Sequence, residues 1–304
     1  MAPRWGHWML DCSAGDVDSD AAARRGDGYG SGDAEGRAEE KGFLVVVGGK
    51  GGGGRREDKD MGREAWMYDF HALAWTRLPS VPDTPLAAAH AGGRVYVISG
   101  GGSSASSGEG GGTAARARGK VHYLDMRGSA EERAKPGALV WKTVEFGTDP
   151  AVAAPTPRAG GALVPLTAGH GRDYLAYMFG CSEEEEGDEG GAVPKEREFY
   201  SDIWTLQLPT RGLNPAAAKD RIRDKLPGME SGEFRWAEAE IVPTEQMTHE
   251  GKAHPGPRAW FGADSCLGGK GVVIWGGVNP KGEREGDGWI LRLAHGYADH
   301  DRWE

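Results

Sequence analysis

The chain has 304 residues, of which 51 are Gly and 17 are Pro, and so many backbone breakers exclude a helical bundle. With 38% hydrophobic residues and 11 Trp it is expected to pack a core rather than to stay a disordered polymer. Its formal net charge of −10 repels phosphate backbones, which argues against nucleic acid or an anionic membrane as a partner.

In chain order a similar phrase returns four times. Each copy opens on a Pro-Arg-like pair, runs through a β-rich stretch into paired glycines, continues into a second apolar or aromatic strand and closes on a tryptophan. The first copy has Pro3-Arg4, Phe43 to Val47 with Gly48-Gly49, then Trp66-Met67-Tyr68-Asp69 and Trp75. The second has Pro85 and His90, Val95 to Ser99 with Gly100-Gly101, then Tyr123-Leu124-Asp125 and Trp141. The third has Pro157-Arg158, Leu175 to Phe179 with Gly180-Cys181, then Asp202-Ile203-Trp204 and Trp236. The fourth has Pro257-Arg258, Val272 to Trp275 with Gly276-Gly277, then Asp287-Gly288-Trp289 and Trp303.

Short β-branched and aromatic runs bounded by Gly, Pro and Asp are strands, and turn-like connections between them make antiparallel meanders. A glycine pair closing the second strand suits a close backbone approach or a positive φ. One meander cannot bury both faces, whereas sheets stacked around an axis can. The expected fold is therefore all-β, a propeller with four visible four-stranded blades at about 3–79, 82–145, 155–242 and 255–304 of a single domain, 1–304. Trp66, Trp204 and Trp289 hold matching places and are expected to pack the blades.

These residues resemble the kelch repeat of kelch-type propellers and of the central domain of galactose-oxidase-like proteins. The resemblance runs from Arg4 to Trp303, with Leu86 standing where other copies carry Arg and Gly180-Cys181 in place of Gly-Gly. Kelch units are about 50 residues long, so the length has room for six. The first glycines of the pairs are spaced by 52, 80 and 96 residues, and the surplus is assigned to inserted loops. Inserts at 13–41, 102–119 and 182–198 are expected to be disordered, and a short helix is expected over 216–223. Long loops on a rigid scaffold are where binding concentrates. Because six or seven blades are usual in the kelch family, the ring is expected to be incomplete, with unmatched apolar faces on its first and last blades.

Cys12, Cys181 and Cys266 are few, odd in number and far apart, as expected of thiols in a reducing compartment. No apolar run approaches the roughly 20 residues of a membrane span, and Met1 to His7 has no apolar leader. The expectation is a cytoplasmic protein, with the nucleus left open, that binds neither nucleic acid nor membrane.

Gly49 to Gly54 formally satisfies G-x-G-x-x-G, yet Arg55 to Asp60 has no helical apolar period, so no dinucleotide site is assigned. The nine His include no H-E-x-x-H and the cysteines no C-x-x-C, so no metal ligand is assigned either. The kelch resemblance brings two enzyme-like precedents. No residue here matches the copper site and Tyr-Cys crosslink of galactose oxidase. The E-x-x-x-D-x-x-x-H iron pattern of nitrile-specifier proteins begins at Glu198 and Asp202 but meets Leu206 where His is required. Two loops carry charge suited to a partner: Arg55, Arg56 and Arg63 in the first copy, and Glu183, Glu184, Glu185 and Glu186 in the third. Solvation alone also accounts for such runs. The resulting expectation is a non-catalytic interaction scaffold without cofactor that binds an unidentified protein through blade loops. The alternative is a galactose-oxidase-like or nitrile-specifier-like enzyme with a metal in the propeller channel.

Overall fold

The computed structural model describes residues 5–12, 42–50, 62–100, 119–133, 135, 137–146, 154–168, 172–182, 197–210, 234–244 and 253–293. Within them, apolar runs punctuated by turn residues form fifteen strands and one helical turn. Strands β1 (Trp5–Cys12), β2 (Phe43–Lys50), β3 (Ala65–Asp69) and β4 (Ala74–Leu78) make the first sheet, in the order β1-β2-β3-β4. The second holds β5 (Pro85–Ala91), β6 (Arg94–Ser99), β7 (Lys120–Asp125) and β8 (Trp141–Glu145), and the third β9 (Ala162–Thr167), β10 (Asp173–Met178), β11 (Ile203–Gln207) and β12 (Arg235–Ala239). The fourth has three strands among the described residues, β13 (Gly262–Cys266), β14 (Gly271–Trp275) and β15 (Gly288–Arg292), and its expected closing tryptophan, Trp303, lies outside them. Every sheet is a meander in sequence order, and the strand pairs with assigned register are antiparallel.

Local chemistry explains the connections. Gly92 and Gly93 take φ of 51° and 73° between β5 and β6, the two-residue turn whose twist matches its flanking strands. The helical turn α1 (Ala130–Arg133) is closed by a capping box: the Glu132 amide donates to the Ser129 hydroxyl at 3.2 Å, and the Ser129 amide donates to the Glu132 carboxylate at 2.8 Å.

The chain divides into two compact units, one comprising Met1–Ser99 with Val121–Val144 and the other Gly100–Lys120 with Glu145–Glu304. In the first unit Val45, Val47, Ala65 and Met67 of the first sheet pack with Ala88, Val95, Val97 and Leu124 of the second. In the other, Val164, Ala176, Met178 and Ile203 of the third sheet pack with Val272, Ile274 and Trp289 of the fourth. Burying these rows between sheets is the main stabilising term, at about 25 cal/mol per Å² of apolar surface. Calling the face that bears Trp66, His122, Trp204 or Trp289 the front of each sheet, the back of the earlier sheet meets the front of the later one in both units.

The backbone corrects one alignment. Gly48-Gly49 has φ of 70° and 104°, Gly276-Gly277 has 67° and 106°, and the matching pair in the third sheet is Phe179-Gly180, at 53° and 90°. Hydrogen bonds agree, since the amides of Gly48, Phe179 and Gly276 donate to the carbonyls of Glu64, Asp202 and Asp287. The pair thus lies one residue earlier than Gly180-Cys181, with Phe179 in a left-handed conformation that favours glycine. Among the described residues no helix is long and apolar enough to cross a membrane.

Candidate functional site

Three polar constellations stand out, and the first belongs to the blades themselves. Arg158 and Arg258, each 1% exposed, sit just before β9 and β13. The Arg158 guanidinium donates to both oxygens of Asp202 and to the Phe179 carbonyl at 3.3 Å, and lies 4.3 Å from the Tyr200 ring centroid. Arg258 repeats this with Asp287, at 2.8 and 3.3 Å, and with the Gly276 carbonyl at 2.9 Å. Trp204 and Trp289 donate their indole N–H to the same carboxylates, both at 2.6 Å. Each clamp ties the start of a sheet to its second-strand turn and its third strand. Burial raises the Asp202 pKa, but hydrogen bonds and charge from Arg158 outweigh it and hold the carboxyl below its usual value. At Asp287 the bond from Arg258 is the leading effect, in the same direction. Both carboxylates, both indole N–H groups and the terminal guanidinium nitrogens are engaged with one another or with backbone carbonyls, while Arg258 Nε is buried without a partner, so the clamps are structural. Asp202, the second residue of the specifier-like spacing, is committed here.

The second constellation is in the second sheet, where Leu124 faces the core and His122, two residues earlier, shares its face. His122 Nε2 lies 2.9 Å from Ser99 Oγ and 3.3 Å from the Asp83 carboxylate, while Nδ1 lies 2.9 Å from Thr143 Oγ1. Ser, His and Asp suggest a nucleophilic triad, yet the geometry differs from one. Serine and aspartate share the same ring nitrogen, whereas a triad needs them on opposite nitrogens. Ser99 is also fully buried.

The third is a groove of about 360 Å³ in the first unit, running along β4 and bounded by the α1–β8 connection. It is lined by the apolar Met67, Leu78, Pro79 and Leu139 together with Arg133, Lys135 and Asp69, and Arg77 also borders it, although the Arg77 side chain shares the opposite face of the sheet with Trp66 and pairs with Glu64. Asp69 accepts the backbone amides of His71 and Ala72, at 2.7 and 3.0 Å. The Ala72 bond is the largest of the effects that hold its carboxyl below the usual value. The Arg133 guanidinium donates to the Met126 carbonyl at 3.3 Å and to the Gly128 carbonyl, and it lies 5.0 Å from the Phe43 ring centroid. The groove therefore presents positive charge over an apolar floor.

Of the residues marked in the sequence, Gly180, Gly276 and Gly277 follow their second strands and Gly48 and Gly49 lie near the end of β2, all with positive φ. Gly100 follows β6, and Gly101 lies outside the described residues. Trp75 pairs with Tyr68 and Trp236 with Leu206, which is the same register in both sheets. Trp141 begins β8 and donates to the Pro79 carbonyl at 2.8 Å. Arg63 braces a turn through the Val81 carbonyl at 2.9 Å. Arg55, Arg56, Glu183, Glu184, Glu185 and Glu186 lie outside the described residues, as do nearly all of the inserts and the helix expected over 216–223. All three cysteines are thiols. Burial pushes the Cys181 thiol above its ordinary pKa despite Arg197, which makes it a poor nucleophile. Among the described residues no three His, Cys, Asp or Glu side chains gather as a metal site would require. The groove and the His122 cluster were not marked in the sequence. The replacement of Trp by His at position 122 was the available signal for the cluster.

An acid-sensitive latch borders this region. Burial raises the Asp125 pKa, but hydrogen bonds and charge from Arg127, with Arg94, lower it to about 2 from 3.8. Arg94 lies 3.2 Å from the same carboxylate. A depressed folded-state pKa stabilises above the unfolded value and is lost as pH falls. Thermal stability should therefore decline as pH drops from about 4 toward 2, and Asp125→Asn should flatten that limb of a melting-temperature profile. Parallel profiles for the two proteins would contradict the assignment.

The meander sheets and their paired faces define an all-β protein of the β-propeller class. No protein-family profile matches the chain, and no curated protein matches it. Among solved structures the chain is similar to the one titled "Structure of YjhT", with 13% identity and a TM-score of 0.43. The match covers 82% of this chain and 63% of that one, so the chain spans less than two thirds of its length.

Proposed function

We propose that this is a kelch-type, non-catalytic interaction scaffold, and that the groove along β4 receives an acidic, extended segment of a partner protein. The supporting observation is that Arg133 and Lys135 line the same groove as the apolar Met67, Leu78 and Leu139. Cationic side chains steer an acidic ligand and favour its register, while the apolar floor supplies burial.

Fluorescence anisotropy with a labelled Glu-rich peptide carrying interspersed Leu tests this. Binding should weaken with added salt, and Arg133→Glu with Lys135→Glu should reduce affinity by about tenfold or more, equivalent to ~1.4 kcal/mol. Equal affinity of the wild-type and substituted proteins would overturn the groove assignment.

A further inference from the structure

The connection from β1 to β2 leaves and re-enters the first sheet beside the groove. Cys12, Phe43, Asp69 and Ala74 form one row across β1 to β4, and the first three share the back face with Met67 and Leu78 of the groove. Asp69 itself lines the groove, the Arg133 guanidinium lies 5.0 Å from the Phe43 ring centroid, and the Gly42 carbonyl accepts the Phe70 amide at 3.4 Å. Residues 13–41, which fall outside the described residues, are thus tethered at both ends in the row that holds Asp69. Their first part, Ser13 to Ala23, carries Asp16, Asp18 and Asp20 with Val17 among them and contains no Lys, Arg or His.

Resting on the reading of the groove as a site for an acidic segment, we infer that its occupant in the absence of a partner is the chain's own Asp16-Val17-Asp18-Ser19-Asp20. The carboxylates pair with Arg133 and Lys135, Val17 meets the apolar lining, and an acidic partner has to displace them. Reach permits this pairing. Cys12 lies two strands from Asp69, about 10 Å, and the four residues Ser13 to Asp16 span up to about 13 Å. Charge favours it, because Asp69, the acid among the groove's lining residues, is taken up by the His71 and Ala72 amides at 2.7 and 3.0 Å. Tethering strengthens it: a short link gives an effective concentration in the millimolar range, so a segment affinity of about 0.1 mM weakens an incoming peptide roughly tenfold.

Two measurements on the full chain test the inference. In the anisotropy assay with the Glu-rich peptide, Asp16→Asn, Asp18→Asn and Asp20→Asn together should raise affinity about tenfold over the wild type. Carbodiimide joins an amine to a carboxylate in contact with it, and without peptide it should link Lys135 to Asp16, Asp18 or Asp20 in the wild type. Mass spectrometry of a mixture of isotope-labelled and unlabelled chains should find both halves of the link in one chain. Equal peptide affinity of the two proteins, or no link to these Asp residues, would overturn the occupant, while binding of the peptide by the wild type would leave the groove's own reading intact. A link between chains, or a Lys135 link to the run Glu183 to Glu186 instead, would overturn it as well. A link within one chain with no peptide binding by either protein would support the occupant and contradict the acidic-partner reading.

Discussion

Asp287→Ala is expected to destabilise the protein by about 3–5 kcal/mol, because it leaves the Arg258 guanidinium buried without its counter-charge. Arg258 is 1% exposed, and the remaining carbonyl partners can accept hydrogen bonds but cannot neutralise it. The Trp289 indole N–H loses its acceptor in the same substitution. Asp202→Ala should behave alike through Arg158 and Trp204. Replacing Arg258 and Asp287 together by Met and Leu should recover much of the loss, since a buried pair exchanged for apolar groups is often neutral. Urea denaturation measures both effects. A single variant as stable as the wild type would show that the clamp carries no stability.

Gly180→Val should cost about 3 kcal/mol or more, through two separable effects. Its φ is +90°, a conformation that L side chains rarely adopt. An added Cβ would also lie 2.8 Å from the Ala159 carbonyl oxygen and 2.9 Å from the Gly161 amide nitrogen, both backbone atoms of the neighbouring strand segment. Its own amide donates to the Arg258 carbonyl at 2.8 Å, so the turn cannot shift without breaking a tie to the next sheet. Gly282 supplies the control, with φ of +78° and no neighbour within 4 Å of an added Cβ. Gly282→Ala should lose only the conformational part, about 1–2 kcal/mol. Similar losses at the two sites would mean that the close approach at Gly180 contributes nothing.

The strands were legible because local pattern and burial agree. Phe43 to Val47 and Val272 to Trp275 are β-branched or aromatic runs stopped by glycines, and the turn that follows requires positive φ. The third sheet was read one residue out of step because Phe179 occupies a place where glycine would have been the signal, held by its buried surroundings. Pro157-Arg158 and Pro257-Arg258 were visible as repeat marks, but their meaning was not. The partners Asp202 and Asp287 lie 44 and 29 residues away, beyond the reach of any local periodicity. The groove was illegible for a related reason: Met67 and Leu78 come from strands of the first sheet, while Arg133 and Lys135 come from the end of α1 and the segment after it, so only the folded chain brings the apolar lining and the charge together.

Hydrogen–deuterium exchange, with and without the Glu-rich peptide, most directly tests the claim that a propeller-class scaffold binds an acidic segment along its first sheet. Added peptide should slow exchange at residues 74–79 and 131–139 and leave the strands around His122 and the Arg258 clamp unchanged. Protection centred on Ser99 and His122, or no protection in the groove under saturating peptide, would contradict it.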